Sequence, residues 1–295
     1  KNRNKENLGK KMTYKNPDAL VSTKELLENI DNPDIVILDG TYHLPNIDRD
    51  AEEEFKSGHI QGAKYFNIDK ICDPDSDLPH MLPSPALFAE AVGSLGISNG
   101  KKVIVYDVYG MQSAARTWWM FRVFGHDNVS VLDGGLPKWL QDGNKLSSDI
   151  TPAIPQLFLA NYRENLVRNL SDIFDLVDTN EEQIIDARTS GRFYGTEPEP
   201  RQGMRSGHIP GSVNLPFGQL LSREDKTFLT ASELEEQFSN IIEDIDKPFV
   251  TTCGSGVTAC ILALALFLIG KEDTAVYDGS WSEWGSLSET PIADN

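Results

Sequence analysis

The chain has 295 residues, 39% of them hydrophobic, and its 27 basic and 45 acidic side chains give a formal net charge of −18. That length predicts two domains, each burying a core of its own, and the acidity argues against nucleic acid as a partner because phosphate binding needs a basic surface. Three cysteines are too few for a disulfide framework and point to a reducing compartment. The longest apolar run, 257–269, is too short to span a bilayer, so the expectation is a soluble, intracellular protein with no membrane partner.

In chain order, residues 1–15 form a basic leader, with Lys1, Arg3, Lys5, Lys10, Lys11 and Lys15 against the single acid Glu6. It has almost no apolar residues and is expected to be disordered. Met12 reads as the native start behind foreign residues; the leader as the end of a targeting segment is the alternative. A first domain is expected over 16–145, with β-branched runs at 35–40 (IVILDG), 101–107 (KKVIVYD) and 129–132 (VSVL). A polar, Pro-rich stretch without periodicity follows, and the linker is placed at 146–165. The second domain, 166–295, has expected strands at 183–186, 249–252 and 275–277. Helices are expected at 231–242 and 257–269. Strands alternating with helices imply an α/β fold, each domain a parallel sheet flanked by helices on both faces.

The two halves repeat one another. FKSGHIQGAKYFNI at 55–68 is echoed by MRSGHIPGSVNLPF at 204–217, pairing His59 with His208. VSVLDGGLPKW at 129–139 is echoed by TAVYDGSWSEW at 274–284, and IVILDG by QIIDAR at 183–188. KKVIVYD parallels KPFVTTC at 247–253, which sets Asp107 opposite Cys253. All four matches occur in the same order and at nearly the same offset, so the chain is a duplication.

The sharpest chemical signal is TTCGSGVTACILALALFLIG. A strand ends at Cys253, a loop of small residues follows, and a long apolar helix begins. Gly254, Ser255 and Gly256 let the backbone curl so that N–H groups converge on one point, to which the helix N-terminus adds its positive end. An anionic sulfur in such a cradle is a nucleophile at neutral pH. The C-terminal end of a parallel strand is also where α/β folds place their sites. The alternative is a buried structural cysteine. Cysteine phosphatases also use a strand, Cys loop and helix, but they need an arginine six positions after the cysteine. Ala259 stands there, which disfavours phosphate chemistry.

CGSGVTAC, the duplicated GHI-x-G motif and YDGSWSEW resemble the two-domain rhodanese superfamily, and within it the 3-mercaptopyruvate sulfurtransferases. SAARTWWMFRVFGH at 113–126 and GRFYGTEPEPRQGMRSGHIPG at 191–211 extend the resemblance over the chain from about Ala19 onward. It implies two tandem rhodanese-like domains, the first without the cysteine. It also implies an enzyme that moves sulfur from 3-mercaptopyruvate through a Cys253 persulfide to a thiol, thioredoxin or cyanide, releasing pyruvate. The amides of Gly254, Ser255, Gly256, Val257 and Thr258 would hold the anionic sulfur. Thiosulfate-using rhodaneses carry basic side chains in this loop, whereas CGSGVT is uncharged and suits a singly charged donor. A thiosulfate sulfurtransferase and a non-catalytic sulfur-carrier or binding module remain the alternatives.

An oxo-acid carboxylate calls for arginine, whose planar fork matches two oxygens. By resemblance, Arg192 and Arg201 bind the donor; on the residues alone they could equally be solvated or paired with Glu197 and Glu199. Arg188 reads as structural. The resemblance further implies a proton relay of Asp69, His80 and Ser255; the alternative is that His80 only makes an interdomain hydrogen bond. His59 and His208, being repeat-equivalent, read as structural. Cys260 reads as a buried inert thiol, Cys72 as a thiol open to redox chemistry, and Trp118 and Trp119 as packing. Gln61 and Asn67 stand where the family often has Pro and Asp. No Cys/His cluster at ligand spacing and no GxGxxG occur, so no metal or organic cofactor is expected. The remaining expectations are a monomer in the cytoplasm, with the mitochondrion as alternative. An anionic donor would meet long-range repulsion from this acidic chain unless positive groups are concentrated at its site.

Overall fold

A computed structural model describes residues 14–293, so the basic leader up to residue 13 lies outside the described residues. The chain divides into two units: residues 20–163 with 223–227, and residues 164–222 and 228–293 with 14–19.

The N-terminal unit runs β1 (Leu20–Val21), α1 (Thr23–Glu28), β2 (Ile35–Asp39), α2 (Ala51–Ser57), β3 (Lys64–Tyr65), α3 (Pro85–Ser94), β4 (Lys102–Tyr106), α4 (Ala114–Val123), β5 (Val129–Leu132) and α5 (Gly135–Gln141). Its sheet has the order β1-β5-β4-β2-β3, and every pairing is parallel. The C-terminal unit runs β6 (Val167–Arg168), α6 (Leu170–Thr179), β7 (Gln183–Asp186), α7 (Ser190–Phe193), β8 (Val213–Asn214), α8 (Ala231–Ser239), β9 (Phe249–Thr252), α9 (Ala259–Leu268), β10 (Ala275–Tyr277) and α10 (Ser280–Trp284). Its order, β6-β10-β9-β7-β8, is the same topology, again all parallel. The sequence repeat is therefore a repeat of structure.

The residues explain the elements. Strands β5, β9 and β10 are buried at every position, which requires cover on both faces of each sheet. Capping boxes start α1 (Ser22 and Glu25), α6 (Asn169 and Asp172) and α8 (Thr230 and Glu233). Helix α8 stops at Ser239 instead of 242. Ile241 and Ile242 both donate to the Phe238 carbonyl in a closing turn that still buries Ile242. Helix α9 is apolar on all sides and buried at nine of its ten residues, which marks a helix enclosed by the core. It begins at Ala259 rather than at 257, because 254–258 form the loop. Among the described residues no helix is long and apolar enough to cross a membrane.

The repeat histidines hold corresponding turns. His59 Nδ1–H donates to the Phe55 carbonyl (2.7 Å) and stacks on that ring. His208 Nδ1–H donates to the Phe193 carbonyl (2.9 Å) and stacks likewise. The stretch at 148–163 has no regular secondary structure and is tied to the N-terminal unit by Gln156 N–H to the Gly93 carbonyl and Asn161 N–H to that of Phe124. Trp118 and Trp119 are wholly buried in α4.

Candidate active site

Strand β9 delivers Cys253 to its C-terminal end, where the thiol-bearing residue is 2% exposed. The residues leading into α10 fix its backbone. Ser280 Oγ accepts the Cys253 N–H (3.2 Å) and donates to the Tyr277 carbonyl (2.8 Å). The Trp281 N–H donates to the Cys253 carbonyl (2.9 Å), and the N–H (2.8 Å) and hydroxyl (2.6 Å) of Ser282 both donate to that of Gly254. Ser280 reaches this position with φ +50, a left-handed conformation that costs a residue with a Cβ about 1 kcal/mol or more. Its repeat equivalent is Gly135, at φ +55.

Beyond Cys253 the loop turns at Gly256, with φ +74, and enters α9. The N–H groups of Gly254, Val257, Thr258 and Ala259 have no protein acceptor among the described residues. The N-terminal unit shows what such a loop accepts. There Asp107 replaces the cysteine, and one carboxylate oxygen takes the N–H groups of Gln112, Ser113 and Ala114 at 2.8–2.9 Å. The other takes that of Tyr109 at 2.9 Å. Gln112 and Ser113 are the repeat partners of Thr258 and Ala259. One copy of the loop is thus filled by its own anion, and the other presents donors beside a thiol. Ser255 is buried in this second loop, and the buried Cys260 thiol donates to the Gly256 carbonyl (3.2 Å).

Arg192 lies at this loop. The Cβ that Gly254 lacks would fall 2.7 Å from Arg192 Nη2, so a side chain there would require the guanidinium to shift. The arginine is fixed from its other side by Glu199: Nε donates to Oε1 (3.1 Å) and Nη2 to Oε2 (2.5 Å). Arg188 is wholly buried and tied to Asp186, to Glu199 Oε1 (2.7 Å) and to the Gly207 carbonyl (2.9 Å). Burial would lower its pKa, but Asp186 and then Glu199 outweigh that and raise it. It is the structural tie expected. Arg201 is half-buried, two residues beyond Glu199.

In the N-terminal unit Asp69 and His80 meet, with 2.9 Å between Oδ1 and Nδ1. His80 is buried at φ +40, edge-on to Tyr42, and its carbonyl accepts from Arg116 Nη2 (2.7 Å). The structure thus joins Cys253, Gly254, Ser255, Gly256, Val257, Thr258 and Arg192 in one unit, and Asp69 with His80 in the other. Cys72 is half-buried, with its thiol donating to the Asp69 carbonyl (3.2 Å). Burial is the main cause that raises its pKa and so disfavours its thiolate. Among the described residues no three His, Cys, Asp or Glu side chains gather as a metal site.

Two contributors escaped the sequence reading, Ser280 and Ser282, which hold the cysteine backbone, whereas the pairing of Arg192 with Glu199 is the alternative it offered for that arginine. The YDGSWSEW repeat was the available signal for the two serines. A serine where the first copy has Gly135 marks a change at a left-handed position.

A family model for the rhodanese-like domain matches residues 22–142 and again 170–287. The chain belongs to the rhodanese family. It is 45% identical over 272 residues to 3-mercaptopyruvate sulfurtransferase of Rattus norvegicus, covering 90% of this chain and 91% of that protein. It is 44% identical over 273 residues to thiosulfate sulfurtransferase of the same organism, with the same coverage. The crystal structure of SseA from Escherichia coli, described with the rhodanese fold of 3-mercaptopyruvate sulfotransferases, superposes with a TM-score of 0.81 at 38% identity, over 89% of this chain and 98% of that one. In this tandem rhodanese, Asp107 marks the loop without a thiol and Cys253 the loop with one.

Proposed function

We propose that this rhodanese transfers sulfur from 3-mercaptopyruvate through a persulfide on Cys253. The observation that carries the reading is the pair of equivalent loops, one satisfied by the Asp107 carboxylate and the other offering amides beside Cys253. Such donors favour an anionic sulfur without reorganising between thiolate and persulfide.

In this reading the Cys253 thiolate attacks the sulfur of the donor. The donor's carbon–sulfur bond breaks, and its electron pair passes to carbon to give the enolate of pyruvate. The proton of the donor thiol ends on that carbon as pyruvate leaves. An acceptor thiolate or cyanide then attacks the outer sulfur, and the sulfur–sulfur pair returns to Cys253. Arg192 and Arg201 bind the donor's carboxylate and carbonyl, as their planar forks allow. Gly254, Ser255, Gly256, Val257 and Thr258 supply the amide cradle. Ser255, His80 and Asp69 handle the proton, with Asp69 fixing the imidazole tautomer. The acceptor is a thiol, thioredoxin or cyanide. The protein works as a monomer in the cytoplasm, with the mitochondrion as the alternative.

The second reading, thiosulfate as donor, is favoured by the nearly equal identity to a thiosulfate sulfurtransferase. Against it, residues 254–258 carry no charged side chain to meet a dianion. Turnover with each donor, using cyanide as common acceptor, decides between them. A higher kcat/KM for 3-mercaptopyruvate is expected, and a preference for thiosulfate overturns the choice of donor.

A further inference from the structure

The carboxylate of Glu199 forms and breaks no bond in the reaction proposed above, yet it lies buried between the structural Arg188 and Arg192 of the donor site. Its side chain is 4% exposed. Oε1 accepts from both Arg188 Nη1 (2.7 Å) and Arg192 Nε (3.1 Å), and Oε2 from Arg192 Nη2 (2.5 Å). Arg188 is itself locked by Asp186, with Nε donating to both carboxylate oxygens at 3.0–3.1 Å and Nη2 to Oδ2 at 2.7 Å. A chain of fixed groups therefore runs from the end of β7, through Asp186, Arg188 and Glu199, to Arg192.

Arg192 reaches the Cys253 loop through the space that Gly254 leaves, since a Cβ there would fall 2.7 Å from its Nη2. The two N–H groups spent on Glu199 leave the Nη1 edge of the fork for another ligand. An arginine side chain has many rotamers, and holding one of them beforehand removes an entropy loss that binding would otherwise incur.

We propose that Glu199 is a positioning residue for the donor half of the reaction. It holds the Arg192 guanidinium against the Gly254 backbone with its free edge turned to the donor carboxylate. The inference rests on the assignment of Arg192 to donor binding. Discharge of a persulfide already formed on Cys253 involves no donor carboxylate, so the two half-reactions should respond differently to Glu199. A merely structural role would depress both.

The test uses the full chain with Glu199→Gln, which keeps one acceptor oxygen and removes the charge, and Glu199→Asp, which keeps the charge and withdraws it by one methylene. Loading of Cys253 by 3-mercaptopyruvate and discharge of the preloaded persulfide to cyanide are followed separately in single turnovers. For both variants we expect kcat/KM for loading to fall about tenfold to a hundredfold, chiefly through KM, as for a misplaced substrate clamp. Discharge should stay within about twofold of wild type, since no cradle group is touched. Equal losses in both half-reactions, no loss in loading, or failure of both variants to fold would each overturn the proposal. Wild-type loading is the separate control: if wild-type Cys253 takes no sulfur from 3-mercaptopyruvate, the functional reading fails and not merely the role of Glu199.

Discussion

Ser280 offers a perturbation in which two energies of opposite sign are separable. Its hydroxyl accepts the N–H of Cys253 at 3.2 Å inside the core, and its backbone is left-handed at φ +50. Replacing it with alanine removes the acceptor but keeps the strained Cβ. A buried N–H left without a partner costs about 1–3 kcal/mol, so Ser280→Ala should be destabilised by that amount. Replacing it with glycine removes the same acceptor and releases about 1–2 kcal/mol of left-handed strain. The greater freedom of glycine in the unfolded chain returns about 0.4–1 kcal/mol of that gain. Ser280→Gly should therefore be more stable than Ser280→Ala by roughly 1 kcal/mol, which is about 2–4 °C in Tm for a domain of this size. Thermal and urea unfolding of the two variants beside wild type measures this directly. If glycine proves as damaging as alanine, Ser280 stores no backbone strain, and the comparison with Gly135 loses its meaning.

Three further outcomes are expected. Asp107→Ala leaves four amides, two of them buried, without their acceptor and should cost on the order of 3 kcal/mol in urea unfolding, while kcat per folded molecule stays unchanged; a stability equal to wild type would show that the carboxylate does not organise the first loop. Burial raises the Asp39 pKa to about 6 against the opposing hydrogen bonds from Thr41, so the folded state holds this proton more tightly than the unfolded chain. The stability this contributes, on the order of 3 kcal/mol, is complete below about pH 4 and is lost as pH rises through 6. Asp39→Asn should accordingly gain on wild type across that window, and parallel pH profiles would refute the shift. His80→Gln should lower kcat with 3-mercaptopyruvate by about a hundredfold, as for loss of a proton-transfer group, and unchanged turnover would remove His80 from the chemistry.

The parts legible in the sequence were those with a local cause. Duplicated motifs fixed the equivalence of Asp107 and Cys253, and the β-branched runs at 249–252 and 275–277 became β9 and β10. Small residues after Cys253 followed by an apolar run sufficed to place a loop and a helix. What escaped depends on contacts between distant segments. Ser280 lies 27 residues from Cys253, and only the fold brings its hydroxyl to that N–H. Glu199 was legible as a possible partner of Arg192, but not as a nearly inaccessible carboxylate that also ties in Arg188, eleven residues back. The end of α8 was missed because its apolar spacing continues through Ile242, a residue that is buried by a turn and not by another helical step.

In the proposed reaction Cys253 carries the transferred sulfur. Intact-protein mass after treatment with 3-mercaptopyruvate in the absence of acceptor tests it most directly. The wild-type chain should gain one sulfur atom that cyanide then removes, and Cys253→Ser should gain none. A wild-type mass that does not change, or a Cys253→Ser chain that gains the same sulfur, would contradict it.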